Sequence, residues 1–438
     1  WSSDVCSSDL AKFQIQHKMN FTLQDIIPYN IGIAVQNPDP NDMCGEIMHP
    51  IIKKYSKIPS SKEKRYKANL SDINPDIVVN VYLDKKEIRK MDLYEQYAIA
   101  ASVECIKDSS IDIENINKDK FGVIWGTGIG GIGSYEPEIR EYYEAGGGTP
   151  HFSPYTIPKL LPNMSAGLIS IRFGLRGISY VVSSACSSSS HAIIDAVNYI
   201  RLGKAEMMIS GGSEAPINLS GIGGFNAMKA LSENNEEMYT ASRPFDSSRD
   251  GFVIAEGGVA LLLEEKEHAI QRGAKIYAEI AGCGLSSDAY HFTAPHPEGI
   301  GTVNVMKYAL EDAGIKPSDI DYINVHGTST PMGDVVELTS IQKLFGDAAY
   351  KVNMSSTKSM TGHMLGAAGA VEALASIFAI QTGTIPPTIN FKELDPNIDP
   401  KLNLTVNKAQ HRVVTYVMSN NFGFGGHNST LIFKKFSE

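Results

Sequence analysis

The chain has 438 residues, an ordinary globular composition and a net charge of −10. That length suffices for two domains or one large α/β unit, and the acidic balance argues against a nucleic-acid binder while leaving room for a local basic patch facing an acidic partner. Five scattered cysteines (Cys6, Cys44, Cys105, Cys186, Cys283) show neither CxxC pairing nor zinc spacing. They fit a reducing cytoplasm rather than a disulfide framework or a metal site. No apolar run reads as a membrane span, and no secretory segment is evident.

Residues 1–75 carry no convincing order of helices and strands, and the near-duplicate Ser2-Ser3-Asp4-Val5 and Ser7-Ser8-Asp9-Leu10 suggests an artefact or a frame error. From Tyr82 the pattern sharpens. Gln96–Ile106 has helical spacing, and Phe121–Gly126 reads as a strand entering the loop Thr127-Gly128-Ile129-Gly130-Gly131-Ile132-Gly133. A GxGGxG loop after a strand is a weak dinucleotide signal, because Tyr135, Glu136 and Pro137 are expected to interrupt the helix that would receive a pyrophosphate. A glycine-rich wall along a substrate pocket fits better. Asn163–Ile171 is a helix, Gly177–Val182 a buried strand, and Ala192–Ile200 a helix ending at Gly203. Ala205–Gly212 is a strand, Val259–Glu264 a central strand, and a helix then runs to Arg272. A second series starts at Ile276: a helix over Val303–Ala313, strands over Asp321–Val325 and Lys351–Ser355, an alanine-rich helix over Gly366–Ile380, a strand over Tyr416–Ser419, a loop over 420–428 and a closing strand over Ser429–Lys435.

Two series of alternating strands and helices predict a layered α/β fold whose reactive residues follow strand ends. The domains expected are 1–75 (atypical), 76–276 (first half, with the nucleophile) and 277–438 (second half, with the histidines).

Cys186 lies in Ser183-Ser184-Ala185-Cys186-Ser187-Ser188-Ser189-Ser190-His191, between a strand and a helix N-terminus. Free N–H groups and the helix dipole favour a thiolate there; a buried structural cysteine is the alternative. Three further stretches carry chemistry: Val325-His326-Gly327-Thr328-Ser329-Thr330, Ser355-Ser356-Thr357-Lys358 through Gly362-His363, and Asn420-Asn421-Phe422-Gly423-Phe424-Gly425-Gly426. Two histidines, each in a Gly/Ser/Thr-rich loop after a strand, are hard to explain by packing alone. Glycines let backbone approach a ligand and hydroxyls hold its polar arms. An aromatic between glycines suits a gate or a plain turn.

In order and spacing these four motifs, with Ser242-Arg243-Pro244-Phe245-Asp246, resemble the β-ketoacyl-[acyl-carrier-protein] synthases of the thiolase superfamily, from about Tyr82 to the C-terminus. The resemblance implies a thiolase-like fold of two similar α/β halves in an α-β-α-β-α sandwich. It implies an acyltransferase that performs a decarboxylative Claisen condensation. Cys186 would carry the acyl group, and His326 and His363 would assist malonyl decarboxylation. The backbone N–H groups of Cys186 and Phe424 would form the oxyanion hole, with Phe424 also the gate. Lys358 would organise His363, and Glu372, supporting Lys358, is grouped with the substrate-binding Thr328 and Thr330. Asp334 and Glu337 would be structural. No metal or resident cofactor is implied, since phosphopantetheine arrives on the carrier protein.

The same resemblance implies a homodimer whose partner is the acidic acyl carrier protein, docking on Lys85, Lys86, Arg89, Lys90 and Lys229. Acyl-chain length would be set around Gly126 to Tyr135 and Asn163 to Ala166. The family's usual first strand is not found in residues 1–75, which is expected to leave a sheet edge unpaired. Four rivals stand beside this reading: a thiolase or coenzyme-A-dependent synthase, a polyketide-type ketosynthase, a non-catalytic carrier-protein-binding partner, and a misfolded or inert product that lacks the first strand.

Overall fold

In the computed structural model residues 82–437 are described; the atypical segment 1–75 lies outside them. The first half contains α1 (Lys85–Ile88), α2 (Leu93–Ser109), β1 (Phe121–Gly126), α3 (Ile132–Glu144), α4 (Thr156–Leu160), α5 (Met164–Phe173), β2 (Ser179–Val182), α6 (Ser188–Arg201), β3 (Met207–Glu214), α7 (Leu219–Ala227), β4 (Gly257–Glu264) and α8 (Lys266–Gln271). The second contains β5 (Glu279–Ser287), α9 (Ile300–Ala313), β6 (Tyr322–Asn324), α10 (Pro331–Phe345), β7 (Asn353–Ser355), α11 (Lys358–Thr361), α12 (Ala368–Thr382), β8 (Thr384–Ile385), β9 (Gln410–His411), β10 (Tyr416–Gly423) and β11 (His427–Lys434).

Each half builds one mixed sheet, ordered β2-β1-β3-β4 in the first and β5-β11-β10-β6-β7 in the second. The plan repeats: β1 lies parallel between β2 and β3, as β6 lies parallel between β7 and β10. In each half an antiparallel strand follows, β4 on β3 and β11 on β10. The second sheet adds another strand, β5 on β11. Among the described residues the first sheet therefore ends at β4.

Side-chain alternation assigns the layers. Phe121, Val123 and Trp125 of β1 pack outward with Ile99 of α2 and Ile169 of α5, while Ile124 turns inward to Ala192 and Ala196 of α6. Val417 and Leu431 face the middle layer with Ile193, Ile194, Ala370 and Ala373, whereas Met418 and Ile432 face Val305, Leu338 and Ile341 of α9 and α10. Helices α6 and α12 thus lie between the sheets, giving the expected α-β-α-β-α sandwich.

Four local expectations change. The Val259–Glu264 run, expected as a central strand, is apolar because β4 is covered by helices α2 and α12; β3 is its partner strand among the described residues. β2 is half-exposed, with β1 as its one partner strand among the described residues. Pro137 does not stop α3, where its missing donor costs one bond and the first turn is held by the Gly131 carbonyl. The expected loop 420–428 shrinks to three residues, because β10 runs to Gly423 and β11 starts at His427. One stretch, Leu365–Thr382, does have membrane-spanning length and hydropathy, but it is mostly buried within the fold and carries Glu372.

Helix α6 approaches its sheet closely because glycines face it. A Cβ on Gly126 would lie 2.4 Å from Ser189 backbone atoms, and one on Gly212 would lie 2.6 Å from the Ser189 Cβ. Gly126→Ala is expected to destabilise the protein by about 1–3 kcal/mol through overpacking, read as a lowered thermal midpoint. An unchanged midpoint would contradict this close contact.

Candidate active site

The nucleophile loop is built by the serines around it. Ala185 has φ +51°, a left-handed conformation uncommon outside glycine. Ser188 fixes it, its Oγ donating to the Ala185 carbonyl at 2.6 Å and accepting from Ser184 N at 2.9 Å. Ser184 Oγ also bonds His191 Nδ1 at 2.6 Å. Opposite, a Cβ on Gly423 would come within 2.5 Å of the Ser184 carbonyl oxygen, so glycine is required for the second half to close on the loop.

The structure brings Cys186, His326, His363, Lys358 and Phe424 together. Cys186 Sγ lies 3.1 Å from His363 Nε2 and accepts a hydrogen bond from Phe424 N–H. The His326 and His363 rings are 5.5 Å apart at 87°. His363 is held by its backbone, donating to Val253 O and accepting from Ala255 N at 2.7 and 2.9 Å, with Phe252 edge-on to its ring. His326 and Gly327 donate their N–H groups to the two oxygens of Glu337 at 2.8 and 2.9 Å.

Lys358, 1% exposed, is placed differently from expectation. Its ammonium donates to the His326 carbonyl at 2.7 Å and approaches His326 Nδ1 at 3.4 Å, so it organises His326 directly rather than His363. Its counter-ion is Glu372, whose second oxygen accepts from Asn421 Nδ2. Glu372 is therefore corrected from a substrate-binding residue to the buried partner of Lys358. Thr328 and Thr330 share a hydroxyl–hydroxyl bond at 3.0 Å beside His326.

Burial, together with the positive charge of Lys358, holds both imidazoles well below their ordinary pKa, so both rings are neutral. An ammonium only donates; at 3.4 Å it fixes Nδ1 of His326 as the acceptor and leaves the ring proton on Nε2. For Cys186 burial dominates and pushes the thiol up to about 12, against the opposing effects of Lys358 and the Phe424 N–H. The structure thus favours a protonated resting thiol over the expected thiolate, because desolvation outweighs Lys358 and the Phe424 N–H. Deprotonation must accompany attack, and His363 Nε2 is the base in reach.

The glycine loop also has a clear partner. Glu214, fully buried at the end of β3, accepts N–H bonds from Gly128, Ile129, Gly130 and Gly366 and a hydroxyl bond from Thr127. Amides that a dinucleotide phosphate would need are already engaged. Sequence reasoning missed Glu214, although an acid closing a strand after Gly211-Gly212 was a signal. Asn421 lies in a stretch that the sequence marks as chemical, but a loop reading of 420–428 gives it no partner, whereas it stands in β10.

The basic residues Lys85, Lys86, Arg89, Lys90 and Lys229 are all exposed. The first four share one short helix and its end.

A buried cysteine with a neutral histidine at its sulfur, a second histidine beside it and a backbone donor aimed at it define a thiol-dependent acyl-transfer centre. Beta-ketoacyl synthase N-terminal and C-terminal domains match residues 56–269 and 277–392. The 3-oxoacyl-[acyl-carrier-protein] synthase 2 of Staphylococcus aureus (strain N315) is 44% identical over 407 residues, covering 92% of this chain and 97% of that protein. Its counterpart in Coxiella burnetii is 46% identical over 378 residues, covering 86% and 89%. Among solved structures, a beta-ketoacyl synthase from Burkholderia phymatum STM815 superposes with TM-score 0.75 at 37% identity, covering 81% of this chain and 85% of that one. A chain of a type II PKS acyl-carrier protein in complex with its ketosynthase gives TM-score 0.74 at 31%, covering 82% and 86%. The chain belongs to the beta-ketoacyl synthase family. The likeness starts earlier than Tyr82: the family match begins at residue 56, and an alignment over 407 residues reaches into the first 75.

The raised Cys186 pKa has a direct readout. The difference in thiolate absorbance between wild type and Cys186→Ser is expected to stay flat from pH about 6 to about 9 and rise only above that. A step near neutral pH would contradict a protonated resting sulfur.

Proposed function

We propose that the chain condenses malonyl-acyl carrier protein with an acyl group held on Cys186, giving β-ketoacyl-acyl carrier protein in fatty acid elongation. The observation that carries this reading is the 3.1 Å contact between Cys186 Sγ and neutral His363 beside neutral His326. The relatives named 3-oxoacyl-[acyl-carrier-protein] synthase 2 support the substrate class.

In the first half-reaction the sulfur attacks the acyl thioester as its proton passes to His363 Nε2. The N–H groups of Phe424 and Cys186 receive the developing oxyanion. The carrier thiol leaves and takes the proton from His363, restoring the neutral ring. In the second, the malonyl carboxylate departs as carbon dioxide and its electron pair passes to the thioester enolate. Nε2–H of His326 donates to that oxygen, with His363 as the second donor once its ring proton has moved from Nδ1 to Nε2. The enolate carbon then attacks the Cys186 thioester, the sulfur leaves as a thiolate, and it takes up one proton from solvent, the proton that the overall condensation consumes.

Thr328 and Thr330 would hold the phosphopantetheine arm, which arrives on the carrier protein; the chain would need no metal or resident cofactor of its own. The exposed Lys85, Lys86, Arg89, Lys90 and Lys229 suit docking of an acidic carrier protein. The setting would be the cytoplasm.

The working unit would be a homodimer. The side of β2 without a partner strand among the described residues, and the exposed apolar residues Ile157 and Ile171, the latter 75% exposed, support a self-complementary face. Ile171→Glu is expected to shift gel filtration from dimer toward monomer; wild type running as a monomer would remove the homodimer from this reading.

The activity test is mass spectrometry. Acyl carrier protein loaded with an acyl group should add that acyl mass to the Cys186 peptide. Malonyl carrier protein should then remove it with release of a β-ketoacyl product. Cys186→Ala should show no adduct, and His326→Ala should acylate yet decarboxylate malonyl carrier protein about 10²–10⁴-fold more slowly. A folded wild-type protein that never acylates would instead favour the non-catalytic carrier-protein partner. Repeated extension without β-keto processing would favour the polyketide reading.

A further inference from the structure

The serine run after Cys186 is not used up by the chemistry above. Ser187, Ser188, Ser189 and Ser190 are all at most 1% exposed. Ser188 shapes the nucleophile loop; the other three hydroxyls cross to the second half. Ser187 Oγ donates to the carbonyls of Asn421 and His427 at 3.0 and 2.8 Å. Ser189 Oγ accepts from Ala370 N at 3.0 Å. Ser190 Oγ donates to Asn421 Oδ1 at 2.6 Å.

Asn421 faces both ways across this seam. Its Oδ1 receives the nucleophile helix α6 through Ser190, and its Nδ2 donates to Glu372 Oε2 at 2.5 Å. The other Glu372 oxygen binds Lys358, which holds His326. A continuous polar path thus runs from α6 through Ser190, Asn421, Glu372 and Lys358 to His326. The path leaves no slack: a Cβ on Gly369 would lie 1.9 Å from Ser190 Oγ and 2.9 Å from Asn421 Oδ1.

We propose that Asn421 is a positioning residue that registers the Cys186 helix against the Lys358–Glu372 pair, so that acyl sulfur and His326 meet one substrate in a fixed relation. It touches no reacting atom and acts through Ser190 on one side and Glu372 on the other. The inference rests on the condensing activity proposed above. Charge is part of the argument, because the groups around the amide are Glu372, Lys358, His326, Glu337 beyond Asn420, and His191 on α6. A neutral donor there leaves the Lys358–Glu372 pair balanced, whereas a second carboxylate would compete with Glu372 for the same proton.

The test uses full-length protein with malonyl and acyl carrier proteins. Asn421→Ala is expected to lower kcat for malonyl decarboxylation and for condensation by about ten- to a hundredfold with KM nearly unchanged. Ser190→Ala should lower condensation in the same direction, and the double variant should lose no more than Asn421→Ala alone, since both cut one path. Asn421→Asp keeps size and the acceptor for Ser190, which guards against a variant that fails to fold. Its deficit relative to wild type should shrink as pH falls from about 8 to about 6, because one of two facing carboxylates then takes up a proton. Additive losses, a rise in KM with kcat intact, or wild-type kcat in Asn421→Ala or Asn421→Asp would overturn the inference while wild-type turnover keeps the proposed function standing. Absence of turnover in folded wild type would overturn both.

Discussion

A lysine ammonium removed from water must be neutralised, and much of the site follows from that requirement. Lys358 has Glu372 as its counter-ion, and both are almost fully buried. Isolated burial of either charge would cost several kcal/mol, so each must stay where the other is. That demand fixes α12, which carries Glu372, against α11, which carries Lys358. The ammonium then spends its remaining donors on His326, setting the ring tautomer. Burial, aided by the same positive charge, keeps both imidazoles neutral. A structural ion pair thereby decides which atoms of the histidines are available for chemistry.

The second constraint is the junction of the two halves. The sulfur comes from the first half and both histidines from the second, so geometry at the junction is geometry of the reaction. Small residues make the approach possible: Gly126 and Gly212 under α6, Gly369 beside Ser190, Gly423 against Ser184. Hydroxyls and one carboxylate then lock it. Glu214 binds amides from the glycine loop of the first half and Gly366 of the second with one group. Close approach and full polar pairing reinforce each other, since a gap would leave buried donors without acceptors.

Much of this was legible in the sequence because strand, tight turn and helix leave local marks. The apolar run before Ser183 and the spaced apolar residues after His191 placed Cys186 at a strand–helix turn, and the structure places it there. The layered α/β fold followed from the same alternation. What local pattern could not show was how well a strand is covered. Gly177–Val182 is apolar and β-branched like a buried strand, yet β2 is half-exposed. Nor could it show long-range polar partners: nothing near Glu214 indicates that its hydrogen bonds go to residues 128 and 366. The resting state of Cys186 was misjudged for a related reason. Its helix end is visible in sequence, but the desolvation that outweighs it comes from the distant residues that bury it.

A thiol held protonated has a consequence beyond turnover. Oxidation of cysteine to sulfenic acid and beyond begins from the thiolate and needs access. Cys186 offers neither at rest, being buried and pushed up to about 12. A nucleophile kept permanently ionised would meet peroxide and stray electrophiles between every pair of substrates. Here the sulfur becomes reactive when an acyl thioester is in place and His363 takes its proton. The chemistry is therefore self-guarding: the group that does the work is shielded by the same burial that disfavours its ionisation.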